Sequence, residues 1–181
     1  VKYNGGIIIG LFIICLLLSV MTDSFCTVRN LSNIMRQISI NVILACGMTM
    51  VIILGLIDIS VGSTVGLAGI VCATLIGTGR YPIWMVILFC LGIGLIVGLI
   101  NGILIAHIKI PAFIATLATQ NIGRGLCQVI CNGAPVRCSE DAFTRLGTTT
   151  MFGGISIAVI YSSFFVVLIC ILMYRTKMGT Y

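Results

Sequence analysis

The stretch "LGLIDISVGSTVGLAG" (Leu54–Gly69) sets one carboxylate, Asp58, between apolar runs that would otherwise read as continuous membrane helix. Its surroundings decide how that carboxylate is to be understood. Of 181 residues, 60% are hydrophobic and only 8% charged, and the mean hydropathy is +1.26. A soluble domain keeps about a quarter of its residues charged, so this chain belongs in a bilayer.

The apolar residues fall into six blocks of roughly the 20 residues that cross about 30 Å of hydrocarbon. They run over about Gly5 to Thr22, Ile38 to Ile57, Ser60 to Gly79, Ile83 to Ala106, Pro111 to Cys131 and Ile155 to Tyr174. Backbone groups cannot stay unpaired in lipid, and these long runs without alternation suit helices rather than barrel strands. The expected fold is all-α, a polytopic transmembrane helix bundle with about six spans. The glycine-rich third block suggests a broken helix near Asp58.

The longest polar connection is Asn132 to Gly154, which holds Glu140 and Asp141. No linker, low-complexity tract or charge block marks a second domain, so residues 1–181 read as one transmembrane domain. The chain begins at Val1 rather than methionine and ends after a basic stretch, "YRTKMGTY", and is expected to be a fragment. Charge does not fix orientation. With six alternating helices, Lys2, Lys109, Arg175 and Lys177 share one side and Arg29, Arg36, Arg80, Arg137 and Arg145 the other, nearly a tie. The net charge of +6 therefore points to the membrane surface, not to nucleic acid.

Glycines recur every four residues at Gly94, Gly98 and Gly102, and again at Gly62 and Gly66. That interval keeps small residues on one helix face, where a neighbouring backbone approaches closely, so helix packing is expected there. An aspartate at the centre of a span costs about 3 kcal/mol, so Asp58 should face protein, water or a partner. Ser60 and Ser63 lie close by, and Gly55 and Gly62 flank it. Two readings stay open. Asp58 and Ser60 shape a translocation pathway at a broken or re-entrant helix, or one of them caps the start of the third helix.

In the fifth block, Thr116, Gln120, Arg124 and Gln128 form a slowly winding polar stripe with Asn121 beside it. Such a stripe faces the bundle interior or a water-filled cavity. It suits a polar solute, and it equally suits hydrogen bonds between helices. Enzyme chemistry finds little support: the lone histidine, His107, sits in a short connection, and the nine cysteines contain no C-x-x-C pair. In a membrane helix a cysteine commonly serves as a small apolar filler. No P-loop motif occurs, so this chain does not bind ATP in that manner.

Four ordered stretches resemble the ribose-type sugar permeases of bacterial ATP-binding-cassette importers. They are "NLSNIMRQISINVILACGMTMVIILGLIDISVGSTVGLAG" (Asn30 to Gly69), "NGILIAHIKIPAFIATLATQNIGRGL" (Asn101 to Leu126), "NGAPV" (Asn132 to Val136) and "RTKMGTY" (Arg175 to Tyr181). The resemblance implies a cytoplasmic amino terminus, an outward Asn132 to Gly154 loop, and a permease subunit of the bacterial cytoplasmic (inner) membrane. It implies inward passage of a monosaccharide, most readily ribose, without enzymatic activity of this chain's own. No cofactor would be bound here; ATP and Mg would be used by a partner P-loop ATPase. The other implied partners are an extracytoplasmic sugar-binding protein and a second permease copy or homologue, all meeting at the lipid bilayer. The segment that engages the ATPase would lie beyond Tyr181. A rival of another class is an ion-gradient-driven transporter of a small polar solute with Asp58 as ion carrier.

Overall fold

The computed structural model describes residues 5–138, 140–151 and 155–175. Lys2, Lys177, Phe152 to Gly154 and most of the "RTKMGTY" stretch, all used above, lie outside the described residues. The elements in chain order are α1 (Gly5–Met21), α2 (Val28–Ile53), α3 (Val61–Gly77), α4 (Ile83–Ala106), α5 (Ala112–Cys131), α6 (Asp141–Thr148), β1 (Thr150–Met151), β2 (Ile155–Ser156) and α7 (Ile157–Arg175). The all-α membrane bundle is what the apolar blocks require. The strands are a minor addition, an antiparallel pair with Thr150 opposite Ser156 and Met151 opposite Ile155.

The six expected blocks divide by length and polarity. Among the described residues, α2, α4 and α7 are long and apolar enough to cross a membrane, while α1 and α3 are apolar helices of 17 residues each. At 1.5 Å per residue, 17 residues reach about 25 Å, roughly a turn short of the hydrocarbon thickness. α5 has 20 residues and carries the polar stripe.

The second block needs correction at both ends. α2 begins at Val28, not Ile38, because Thr27 caps it: the Thr27 hydroxyl accepts a hydrogen bond from the Asn30 backbone N–H at 3.3 Å. The Asn30 side chain reinforces the entry by donating to the Phe25 carbonyl at 2.9 Å. Most of the stretch between the first two expected blocks, from Thr22 to Gln37, is therefore helix. α2 then ends at Ile53, short of Ile57. Gly55 takes a left-handed φ of 70°, its N–H bonds the Ile52 carbonyl (2.9 Å), and the Leu56 N–H reaches back to Val51 (3.2 Å). This is a Schellman stop, and it releases residues 56–60 from the helix. An added Cβ at Gly55 would meet no atom within 4 Å, so Gly55→Ala carries only the backbone penalty. It is expected to lower stability by about 1 kcal/mol, read as a lower thermal midpoint in detergent, with Gly55→Asn losing less.

Two helical groups result. α2 lies alongside α7, and the one buried residue of each is a serine, Ser39 and Ser162. Each hydroxyl donates to its own helix, to Met35 O at 2.7 Å and Val159 O at 2.9 Å, so a small polar residue is buried without an unmet donor. In the other group α3 packs against both α4 and α5. Its buried face carries Ser63, Leu67, Cys72 and Ile76. Cys72 and Ile76 join the fully buried Val86 of α4 in an apolar cluster with Cys90, Cys138 and Phe143 at its edge. The cysteines named there pack as small apolar residues.

Candidate functional site

The break between α2 and α3 leaves residues 56–59 outside any helix. In a membrane such backbone survives only where protein groups satisfy it. Asp58 does so first. Its Oδ1 accepts from the Ser60 backbone N–H at 2.8 Å and from the Ser60 hydroxyl at 2.6 Å. Ser60 stands at the cap position of α3, but its own side chain makes no capping bond. Its carbonyl instead accepts from the Ser63 hydroxyl (2.8 Å), the Thr64 hydroxyl (2.9 Å) and the Thr64 N–H (2.9 Å). The carboxylate thus orders the start of α3 through a local Asx turn.

Two other helices complete the junction. From α4, Asn101 Nδ2 donates to the Ser60 hydroxyl oxygen at 3.0 Å. Because that hydroxyl already gives its proton to Asp58, the direction of the chain is fixed: amide to hydroxyl to carboxylate. The other amide atom, Asn101 Oδ1, is buried without a partner among the described residues. From α5, the Thr116 hydroxyl donates to Ala112 O at 2.9 Å and approaches Ile57 O in the break at 3.4 Å. Ser60, Asn101 and Thr116 are all at least nine-tenths buried. Beside them lies a small cavity of about 180 Å³, bordered by Asp58, Ser60, Thr64, Gly94 and Gly98.

α5 approaches α3 closely at one point. A Cβ built on Gly123 would sit 3.0 Å from Ser63 Oγ and 3.2 Å from Ser63 Cβ. By contrast, a Cβ at Gly62, Gly94, Gly98 or Gly102 would meet nothing within 4 Å, and one at Gly66 only Cys127 Sγ at 3.9 Å. The close approach among these helices thus falls at a glycine outside the four-residue series.

The predicted site residues separate accordingly. Asp58, Ser60 and Thr116 come together at the break. Gln120 is half-buried, while Asn121, Arg124 and Gln128 are exposed. Steps of four advance about 40° round a helix, so Arg124 lies about 80° and Gln128 about 120° from Thr116. The stripe therefore leaves the packed face after its first member.

Asn101 was not singled out from the sequence. The available signal was its standing as the sole amide in the otherwise apolar 24-residue helix α4. Its orphan acceptor makes a prediction. Asn101→Leu removes one neutral hydrogen bond together with one unmet acceptor, effects of about 1 kcal/mol each and of opposite sign, so stability should hardly change. Asn101→Asp sets a second carboxylate against a hydroxyl with no proton to offer and should lose about 3 kcal/mol. Thermal unfolding of the two variants in detergent checks the contrast.

A family model described as "Branched-chain amino acid transport system / permease component" matches residues 30–181. The chain is similar to the ribose import permease protein RbsC of Haemophilus influenzae, 39% identical over 149 residues, 80% of this chain and 46% of that protein. It is similar to the Bacillus subtilis protein of the same name, 38% identical over 182 residues, covering 96% and 54%. The galactose/methyl galactoside import permease protein MglC of Salmonella typhimurium is 30% identical over 193 residues, covering 97% and 57%. The chain spans about half the length of these curated relatives. No solved structure matches it.

Proposed function

Because the chain belongs to the family of branched-chain amino acid transport system / permease components, we propose that it is the membrane-spanning part of an ATP-binding-cassette importer permease that carries a monosaccharide, ribose foremost. The observation that carries this reading is the buried junction at the α2–α3 break. Asp58, Ser60, Asn101 and Thr116 hold non-helical backbone together inside an otherwise apolar bundle. Irregular backbone at membrane depth is tolerated where it is buried in protein or lines a cavity, as beside Asp58 here. A pentose is preferred over galactose because similarity to the ribose and xylose permeases is higher, 39%, 38% and 38% against 30%.

In this reading residues 1–181 form part of one transmembrane domain in the bacterial cytoplasmic membrane. Asp58, Ser60 and Thr116 set the geometry of the translocation pathway, and Gln120, Asn121 and Arg124 present polar groups along it. The carboxylate acts on helix geometry rather than on sugar affinity, since its Oδ1 is already engaged by Ser60. Gly62, Gly66, Gly94, Gly98 and Gly102 serve helix packing, including against a second permease copy. An extracytoplasmic binding protein delivers the sugar, and a separate P-loop ATPase using ATP and Mg drives the change of state.

The test is a mild-detergent pull-down of the full-length permease from its native membrane, joined to an uptake assay. Recovery of a P-loop ATPase and a sugar-binding protein, with uptake that follows that protein's sugar, supports the reading. Binding of branched-chain amino acids by the recovered protein would replace the substrate. Recovery of neither, with uptake abolished by an uncoupler, would leave Asp58 as an ion carrier and sink the importer.

A further inference from the structure

Two cavities meet at the end of the bundle that carries α6. One, of about 400 Å³, is lined mainly by polar residues, Arg29, Ser32, Asn33, Arg36, Thr148 and Ser156 among them, together with Val28. The other, of about 750 Å³, is mainly apolar and is bordered by Ile40, Ile43, Ile87, Leu146, Ala158 and Tyr161. Arg36 and Thr148 line both, so the two chambers adjoin at those residues. The described lining of the polar chamber has two guanidinium groups and no carboxylate. Of Arg36's five donors, one is engaged by Asn33 Oδ1, at 3.3 Å.

The spacing of the two arginines is of the same order as the headgroup region of a bilayer leaflet. Arg29 and Arg36 are seven residues apart on α2, which is about 10 Å along the axis. That compares with the roughly 5–8 Å of headgroup region on each side of the hydrocarbon. Ile40 and Ile43 lie one and two turns further along α2, and share the apolar chamber with Ile87 and Tyr161 in the second turns of α4 and α7.

We infer that these adjoining cavities form a binding site for an anionic phospholipid, with the phosphate held by Arg29 and Arg36 and an acyl chain in the apolar chamber under α6. Two cations on one face of α2, with no carboxylate in the described lining, select a headgroup of net negative charge over a zwitterionic one. Guanidinium groups suit phosphate because they offer paired donors to its oxygens. The apolar chamber distinguishes a lipid from a free anion, because inorganic phosphate gains nothing from it. The inference is independent of which solute is carried.

The experiment is native mass spectrometry of the full-length permease, purified and delipidated in mild detergent. It is titrated with dioleoyl phosphatidylglycerol, with dioleoyl phosphatidylcholine, or with inorganic phosphate. Phosphatidylglycerol should bind roughly tenfold more tightly than phosphatidylcholine. The R29Q/R36Q double variant should abolish that preference, whereas Ala158→Trp, which fills the apolar chamber, should weaken both lipids. Thermal midpoints without lipid show whether each variant is folded, and a lipid-induced rise in midpoint gives a second readout of binding. Equal binding of the two lipids, or an unchanged preference in R29Q/R36Q, overturns the site. Inorganic phosphate binding as tightly as phosphatidylglycerol overturns the lipid in favour of a free anion. If R29Q/R36Q keeps its lipid preference and loses capture of an acidic protein instead, the arginines serve a protein interface and the inference falls.

Discussion

Replacing Asp58 by alanine is expected to remove most transport activity and to lower the stability of the permease by about 3 kcal/mol. The carboxylate accepts two hydrogen bonds, at 2.8 and 2.6 Å, from the same serine. Bonds to a charged acceptor contribute about 1.5–3 kcal/mol each, and here the groups left behind are buried in a bilayer protein. Without Asp58 the first N–H of the turn and the Ser60 hydroxyl lose their acceptor, and the Asn101 contact loses the oxygen that orients it. Asp58→Asn keeps an acceptor but no charge, so it should lower uptake while retaining more folded protein than alanine does. Uptake in cells, normalised to membrane level, and thermal unfolding in detergent separate the two effects. Unchanged uptake for Asp58→Asn at normal membrane level would exclude the proposed role.

Gly123→Leu should be at least as damaging, through packing rather than charge. A bare Cβ at this position already lies 3.0 Å from Ser63 Oγ, and Ser63 has little room to yield because its hydroxyl is bonded to Ser60 O at 2.8 Å. Alanine forces α5 and α3 apart by a few tenths of an ångström. Leucine forces them apart by more, with an overpacking cost of about 3 kcal/mol. The disturbance passes straight to Ser60 and the helix break. A Cβ at Gly94 or Gly98 meets no described atom within 4 Å, so leucine there should affect the folded midpoint far less. Comparing folded yield and thermal midpoint for Gly123→Ala, Gly123→Leu and Gly98→Leu decides the point. Equal losses at Gly123 and Gly98 would show that the close approach is not what matters.

The membrane class, the all-α architecture and the approximate course of α4, α5 and α7 were legible in the amino acids themselves. Uninterrupted apolar runs admit few backbone solutions in lipid, and Pro82 and Pro111 mark the starts of α4 and α5. That an isolated Asp58 required special accommodation was legible too, from the cost of a carboxylate in hydrocarbon. The ends of α2 were less so, although both signals are local. Thr27 capped a helix that its polar first turns disguised, and Gly55 stopped it before Asp58.

Tertiary structure alone decided what surrounds the break. Asn101 is 41 residues from the Ser60 it contacts, Thr116 is 59 from Ile57, and Gly123 meets Ser63 across two helices. Periodicity gives the angular position of a side chain on its own helix, but not which neighbour that helix turns towards. Thr116 and Arg124 were therefore alike as members of one stripe until the packing of α5 on α3 buried the first and left the second exposed. Local sequence dictates where helices start and stop because caps and left-handed glycines act within a turn. The choice of partners is made by the fit of whole helix faces, which is a property of the assembled bundle.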